Sequence, residues 1–419
     1  MSEVLSCFDP AANPEAMLPV EESITRILAQ VHCTLPIERV ALADAVGRVL
    51  AEEQRSLLNV PAVTNSAMDG YAVRAAAFTD GSAPVLRVTG CVFAGQAFAG
   101  EVAAGEAVEI MTGAPVPKGA DSIVIREAAE RDGDQLRFIG PVKIGQHVRQ
   151  AGEDIAAGAV ALTEGVMLQP QHAGLLASLG LSEVPVYRPL TVAVFSTGDE
   201  VTAQGQALPE NCIYDTNRFT LQGLLKRIGC RVIDLGIIDD NQSAMERTLS
   251  NAAQQADMVI SSGGVSMGEA DFIKKALSAV GQINFWRIAM RPGRPLAFGT
   301  INDTPFFGLP GNPVAVMVTF LQFVQPALRK MMGQKDWQPT RMTAVAETTL
   351  KSRLHRTDYS RGVYRIDEQG QLVVRSTGAQ GSGILTSMVQ ANCLIEIGDD
   401  HGHIDAGQRV TIQPFGELV

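Results

Sequence analysis

The sequence predicts a multidomain α/β plus β chain: a three-layer α/β domain with a mainly parallel sheet, preceded by a β-rich domain and followed by a small C-terminal β domain. Three observations carry this. Residues 188–335 alternate apolar runs with helical periods, the pattern of a parallel sheet covered on both faces. Residues 56–156 break instead into short β-branched runs between Gly-rich turns. From residue 336 the chain returns to hairpin-like segments, which predict a barrel or a sandwich.

Taken in order, an amphipathic helix is expected from Pro19, with Ile24, Ile27, Leu28 and Val31 on one face. In the β-rich part, "VLRVTG" and "SIVIRE" read as strands, and "RDGD" before "QLRFIG" as a hairpin turn. "QPQHAGLLASLG" is a short helix, with Pro170 near its start and Gly180 past its end. The α/β part then runs "LTVAVF" (strand), "NRFTLQGLLKRIG" (helix, closed by Gly229), "RVIDLGII" (strand) and "SAMERTLSNAAQQA" (helix). "DMVI" (strand) and "DFIKKALSAVG" (helix) continue it, and near-continuous apolar strands fit a doubly covered sheet. Last come "YSRGVYRIDEQGQLVVR", "CLIEI" and "RVTIQPF", strands of the C-terminal domain.

Composition narrows the function. A length of 419 residues allows about three domains. A net charge of -11 argues against nucleic acid as a partner, so an anionic substrate must meet a local basic cluster. Aromatics at 5% are too sparse for a broad base-stacking surface. No two of the six cysteines form a C-x-x-C pair, so they are expected to be reduced and mostly packed as small apolar residues. His401 and His403 in "DDHGHID" read as a solvated turn rather than a metal site. The N-terminus shows no signal-peptide pattern and no apolar run approaches spanning length, so the expected setting is cytoplasmic, with no membrane partner.

Chemistry-bearing residues follow the predicted strands. In a doubly wound sheet, ligands bind beyond the carboxyl ends of the strands. "STGDE" with Glu200, "DD" with Asp240, "SSGGVSMGEAD", "MRPGRP" and "GLPGNP" should all sit at that edge. Ser262, Gly263, Gly264 and Ser266 offer hydroxyl and amide donors to an anion, ahead of a helix whose N-terminus favours negative charge. Glu269 and Asp271 beside them would repel that anion unless a cation such as Mg²⁺ intervened; the alternative is that they only cap the helix. Arg291 and Arg294 around Pro292 and Gly293 suit a two-pronged grip on an oxyanion, or are solvated surface groups. In the β-rich part "NSAMDGYAV", "IMTGAPVP" and "AGEDI" place Asp69, Thr112 and Asp154 in tight turns. No P-loop and no strand-linked G-x-G-x-x-G is present, which disfavours P-loop ATPases and dinucleotide enzymes.

Together with "YDTN" and "RPGRP", these motifs in register resemble those of the molybdopterin molybdenumtransferases, the bacterial MoeA family also found as the E-domain of gephyrin. The resemblance runs from about residue 18 to the C-terminus. It implies a four-part subunit: a linking segment of residues 1–55 and 157–187, a β-rich domain (56–156), an α/β domain like the molybdopterin adenylyltransferases (188–335), and a barrel-like C-terminal β domain (336–419). It implies a homodimer with the site between subunits, and insertion of molybdenum from molybdate into adenylylated molybdopterin with Mg²⁺-dependent release of AMP. A molybdopterin adenylyltransferase is the implied donor.

Carried over residue by residue, the resemblance makes Asp69, Thr112, Asp154, Glu200, Asp240 and Asp271 catalytic, with Glu200, Asp240 and Asp271 holding Mg²⁺. Arg287, Arg291, Arg294, Pro310, Pro313, Arg361 in "SRGVYR" and Ser382 in "GAQGSG" join the serines and glycines in binding substrate. The three arginines stand where bacterial relatives often have lysine, which keeps the charge and rules out any role for a neutral amine. Two alternatives stay open. An adenylyltransferase would lack the two β domains, and an idle pterin-binding scaffold would have no need of the full set of acids.

Overall fold

The computed structural model describes residues 17–78, 84–138, 140–238, 241–263, 270–335 and 337–416, with backbone only at 270–274 and 285. The described chain falls into two compact units: Arg39–Val46 with Glu52–Pro185, and the remainder.

The second unit holds the α/β sheet, in the order Arg231–Ile238, Thr191–Thr197, Met258–Ser262, Thr304–Leu309, Pro295–Ile301, Gly281–Arg287. The first three pairings are parallel and the last two antiparallel, so the sheet is mixed rather than doubly wound throughout. The reversal is a hairpin in which Ile301 pairs with Thr304. Its two-residue turn, Asn302 and Asp303, has φ of 48° and 69°, the left-handed pair that matches strand twist. Because the chain reverses twice, Gly281–Arg287 again runs parallel to the central strands, and its carboxyl end meets theirs.

Thr191–Thr197 is buried from Val192 onward, as a strand covered on both faces must be. Alternate residues Ala193 and Phe195, with Val259 and Phe306, pack under Met245, Leu249 and Ala252 of the helix Gln242–Gln255 and under Leu277 of Ala270–Val280. The other face carries Asn217–Ile228 and Pro313–Thr319. Leu221, Leu224, Leu225 and Ile228 are the buried stripe of Asn217–Ile228, each contributing about 1.5–3 kcal/mol against exposure. Gly229 ends that helix at φ 96°, letting Cys230 N–H return to Leu225 O at 3.0 Å.

In the same unit the helix Val20–Gln30 buries Val20 and Ile27 and packs along Gln325–Met331, where Lys330 Nζ donates to Leu28 O at 2.6 Å. The C-terminal strands close on themselves. Thr357–Ile366 pairs with Leu372–Ser376, then come Met342–Ala346, Arg409–Pro414 and Cys393–Ile397, which pairs back with Thr357–Ile366. Of barrel and sandwich, the chain therefore forms a five-stranded barrel.

The first unit is built on the sheet Ser122–Ile125, Gly70–Val73, Glu106–Ile110, Val85–Val92, Gln135–Phe138, Ala129–Asp132. Gly133 and Asp134 make the turn of its last hairpin, inside the "RDGD" stretch. Gly70 is required there: a Cβ would lie 2.0 Å from Val124 O on the next strand. Cysteines depart from expectation among the described residues, since only Cys230 and Cys393 are buried, while Cys33 and Cys212 are half-buried and Cys91 is exposed.

Candidate functional site

At the carboxyl edge of the α/β sheet lies a cavity of about 550 Å³. Its walls are turns: Thr197–Gly198 and Glu200 where Thr191–Thr197 ends, Ser262–Gly263 where Met258–Ser262 ends, and Gly311–Pro313 after Thr304–Leu309. Gly263 sits at φ 90° with Thr197 O only 2.7 Å from where a Cβ would stand, so backbone alone fits that wall. Thr216 and Asn217 bring in the start of Asn217–Ile228, and helix N-termini favour anions. Asn217 Nδ2 donates to Gly311 O at 2.7 Å and ties two of these turns together.

Under this floor runs a buried polar chain. Asp215, 3% exposed, accepts from Ser196 Oγ at 3.0 Å, from Arg218 N at 3.2 Å and from Arg218 Nε at 2.8 Å. Arg218 continues to Asp234, which also accepts from Gly236 N at 2.9 Å. The acid of "YDTN" was not among the residues expected to act, although Asp three residues before Arg is a readable helix-start pair. Its place here is to set the walls.

A second cavity, about 390 Å³, opens where the barrel meets "MRPGRP". Met290–Arg291 pairs with Thr357–Asp358 of the barrel, so Arg291 lines this cavity with Lys351, Ser360 and Arg361. Arg361 is 1% exposed and donates to Ser387 Oγ at 3.0 Å and Gly381 O at 3.1 Å. Burial, and then the charge of Arg291, push its guanidinium down to about 10. A buried cation with no carboxylate partner among the described residues is poised for an anion.

The loop between the cavities belongs to both. Arg361 holds it at Gly381, while Ser382 O accepts from Val314 N at 3.0 Å and Gly383 lines the first cavity. Ser382 thus meets Val314, the residue after Pro313, through backbone, and Pro310 is buried in the turn before them. Arg294 is exposed, with its carbonyl accepting from Ile288 N at 2.8 Å, and Arg287 is half-buried at the strand end.

In the other unit Thr112 donates N–H and hydroxyl to Asp69 Oδ1, each at 2.7 Å. Those two bonds, the N–H first, with a smaller contribution from Arg126, hold the Asp69 carboxyl below its ordinary range. Asp154 is exposed in a separate turn, its N–H donating to Val60 O at 3.0 Å. Asp240, Gly264, Ser266 and the side chain of Asp271 lie outside the described residues. Glu200 is exposed and lines the first cavity, and among the described residues no group of three or more His, Cys, Asp or Glu could hold a metal ion.

Known proteins match this chain over most of its length. Residues 18–180 match the MoeA N-terminal region (domain I and II), 193–330 a probable molybdopterin binding domain, and 343–415 the MoeA C-terminal region (domain IV). A molybdopterin molybdenumtransferase of Haemophilus influenzae is 45% identical across 96% of this chain and 100% of its own length. Another, from a Nostoc species, is 36% identical across 90% of this chain and 88% of its own. The crystal structure of a molybdopterin biosynthesis moeA protein from Pyrococcus horikoshii OT3 has a TM-score of 0.84 at 31% identity, covering 95% of this chain and all of that one. With models in register from residue 18 to 415 and relatives aligned nearly end to end, the chain belongs to the MoeA family, the molybdopterin molybdenumtransferases.

Proposed function

We propose that this chain acts in molybdenum cofactor biosynthesis as a molybdenum transferase, taking molybdate and adenylylated molybdopterin and releasing AMP. The observation that carries it is the first cavity, a backbone-walled anion cradle with an acid at its rim, in a member of this family. The amides around Ser262–Gly263 and the start of Asn217–Ile228 bind the phosphates, and the Asp215–Arg218 pair keeps those walls fixed. Arg291, Arg361 and Lys351 take the molybdate oxyanion in the second cavity. The loop held by Arg361 keeps the two anions in register. The pterin's own sulfurs serve as metal ligands, so the chain needs no Cys/His cage.

Glu200, with Asp240 and Asp271, would hold Mg²⁺. Bound there, the ion would neutralise phosphate oxygens and ease departure of AMP. We further propose a homodimer in which Asp69 and Thr112, with Asp154, complete the site of the other subunit. A molybdopterin adenylyltransferase would hand over the substrate. A cytoplasmic setting is consistent with the described residues, none of whose helices is long and apolar enough to cross a membrane.

The test is AMP release from adenylylated molybdopterin with and without molybdate and Mg²⁺. Both should be required. Release at an unchanged rate without molybdate overturns the reading.

A further inference from the structure

The strand Thr357–Ile366 loses half of a sheet bond at the residue that matters most to the second cavity. Leu372–Ser376 pairs with it in antiparallel register from Ile366 back to Gly362, which faces Ser376. The same register sets Arg361 opposite Thr377, and Thr377 N does donate to Arg361 O at 3.0 Å. In a regular antiparallel ladder Arg361 N would return the bond to Thr377 O. It donates instead to Gln380 Oε1 at 2.8 Å, while Gln380 Nε2 donates to Arg361 O at 3.1 Å. One side-chain amide thus stands in for the peptide group where the neighbouring strand turns away, and the buried main chain stays paired. The amide is itself tied down, since Nε2 also donates to Ser376 Oγ at 2.9 Å.

The side chain of Arg361 is fixed from its far end. Nε donates to Ser387 Oγ at 3.0 Å and Nη2 to Gly381 O at 3.1 Å. Ser387 is 3% exposed, and its one hydroxyl hydrogen goes to Ile384 O at 2.6 Å, so its oxygen is left only to accept. The Nε–Nη2 edge, which would otherwise grip an oxyanion side-on, is therefore spent on protein. Among the described residues no hydrogen bond holds Nη1. We propose that Gln380 and Ser387 are positioning residues of the second cavity: Gln380 fixes the main chain of Arg361, Ser387 fixes its Nε, and together they turn the Nη1 end of the guanidinium to the oxyanion. This rests on the reading above that the cavity takes molybdate. Gln380 lines the same cavity, yet both ends of its amide are engaged, so it acts on the anion through Arg361. A guanidinium already held in place gives up little freedom when the anion arrives.

The test follows the Arg361 Nε–H signal by NMR on the full-length protein, assigned by its absence in Arg361→Lys, and molybdate binding by calorimetry. Molybdate should shift that signal in the wild type. Ser387→Ala should speed its exchange with solvent about tenfold, with or without molybdate, because the bond that protects it is gone. Gln380→Ala and Ser387→Ala should each weaken molybdate binding about three- to tenfold, the range for a lost hydrogen bond. Ser387→Thr, which keeps the hydroxyl, should restore both readings. All measurements are made on folded protein below Tm, so a loss of stability alone moves neither. Exchange and molybdate affinity that stay at wild-type values in both alanine variants, whatever their Tm, overturn the positioning role while the molybdate reading stands. A wild-type Arg361 signal that ignores molybdate overturns the molybdate reading, and the proposal falls with it.

Discussion

Thr112 gives both of its donors to one oxygen of Asp69, the main-chain N–H and the hydroxyl each at 2.7 Å. Two donors on one oxygen fix the carboxylate's direction and favour its charged form. The folded-state pKa of Asp69 is therefore below its unfolded value, so the contribution of the pair is present above the unfolded value and fades as pH falls through the folded one. Thr112→Val keeps the N–H, the larger cause, and loses the hydroxyl. Carboxyl-carbon NMR titration should show Asp69 titrating at higher pH in Thr112→Val and unchanged in Thr112→Ser. An unmoved titration in the valine variant would show that the hydroxyl does not engage Asp69 in solution.

Arg361 carries the opposite imbalance. It is a buried base whose charged form burial and Arg291 disfavour, so the folded state bears a penalty below about 10 that is relieved as pH rises above it. An oxyanion in the cavity should offset the same penalty at neutral pH. Molybdate should raise Tm, in keeping with about 2.7 kcal/mol of stabilisation at a hundredfold excess over Kd. Arg291→Gln removes the like charge, so the free protein should be at least as stable. Its molybdate-dependent rise in Tm should be mostly lost. Scanning calorimetry with and without molybdate decides; a full rise in the variant removes Arg291 from the anion site.

Two left-handed glycines separate cavity walls from ordinary caps. Gly229 at φ 96° has nothing nearer than 3.8 Å around a built Cβ, so Gly229→Ala should cost about 1 kcal/mol through backbone strain alone. Gly263 at φ 90° adds the 2.7 Å approach to Thr197 O, and Gly263→Ala should cost more, about 2–3 kcal/mol, and weaken phosphate binding. Urea midpoints and phosphate titrations should rank the two in that order.

The α/β order was legible because each element obeys local rules. The helix over "NRFTLQGLLKRIG" spans Asn217–Ile228, and "RVIDLGII" is the strand Arg231–Ile238. Strand direction is not local, and the two antiparallel pairings at residues 281–309 were missed. Asn302–Asp303 was the available signal, since such a pair suits a two-residue turn with positive φ. Arg291 cannot be assigned to its own cavity from sequence, because that depends on its pairing with Asp358, 67 residues on (358 − 291). Asp215 is not marked by its chain neighbours, because Ser196, which donates to it at 3.0 Å, stands on the strand Thr191–Thr197, and Arg218 joins it to Asp234 only in the fold.

If a homodimer shares its sites, acids on the two units need not come from one chain. Asp69→Ala and Asp271→Ala should each abolish AMP release. Mixed after subunit exchange, they should regain about one intact site per mixed dimer. Exchange proved by tagged co-purification with no recovery of activity would make each subunit self-sufficient.

Asp271 and Asp215 both stand near helix starts, and only one should matter to the fold. Asp271 is the second residue of Ala270–Val280, where a carboxylate is worth about 0.3–1 kcal/mol to the helix dipole. Asp271→Asn keeps shape and capping ability, so Tm should hold and the adenylylated pterin should still bind. If the charge holds Mg²⁺, AMP release should fall by orders of magnitude and recover in part at high Mg²⁺. Asp215 is buried against Arg218 at 2.8 Å, and removing one partner of a buried pair costs about 3–5 kcal/mol. The cost should be smaller here because Arg218 keeps Asp234. Asp215→Asn should therefore lower Tm, with no recovery of lost activity by Mg²⁺. Normal turnover in Asp271→Asn would return that acid to a helix cap, and Mg²⁺ rescue of Asp215→Asn would make Asp215 part of the metal site rather than its support.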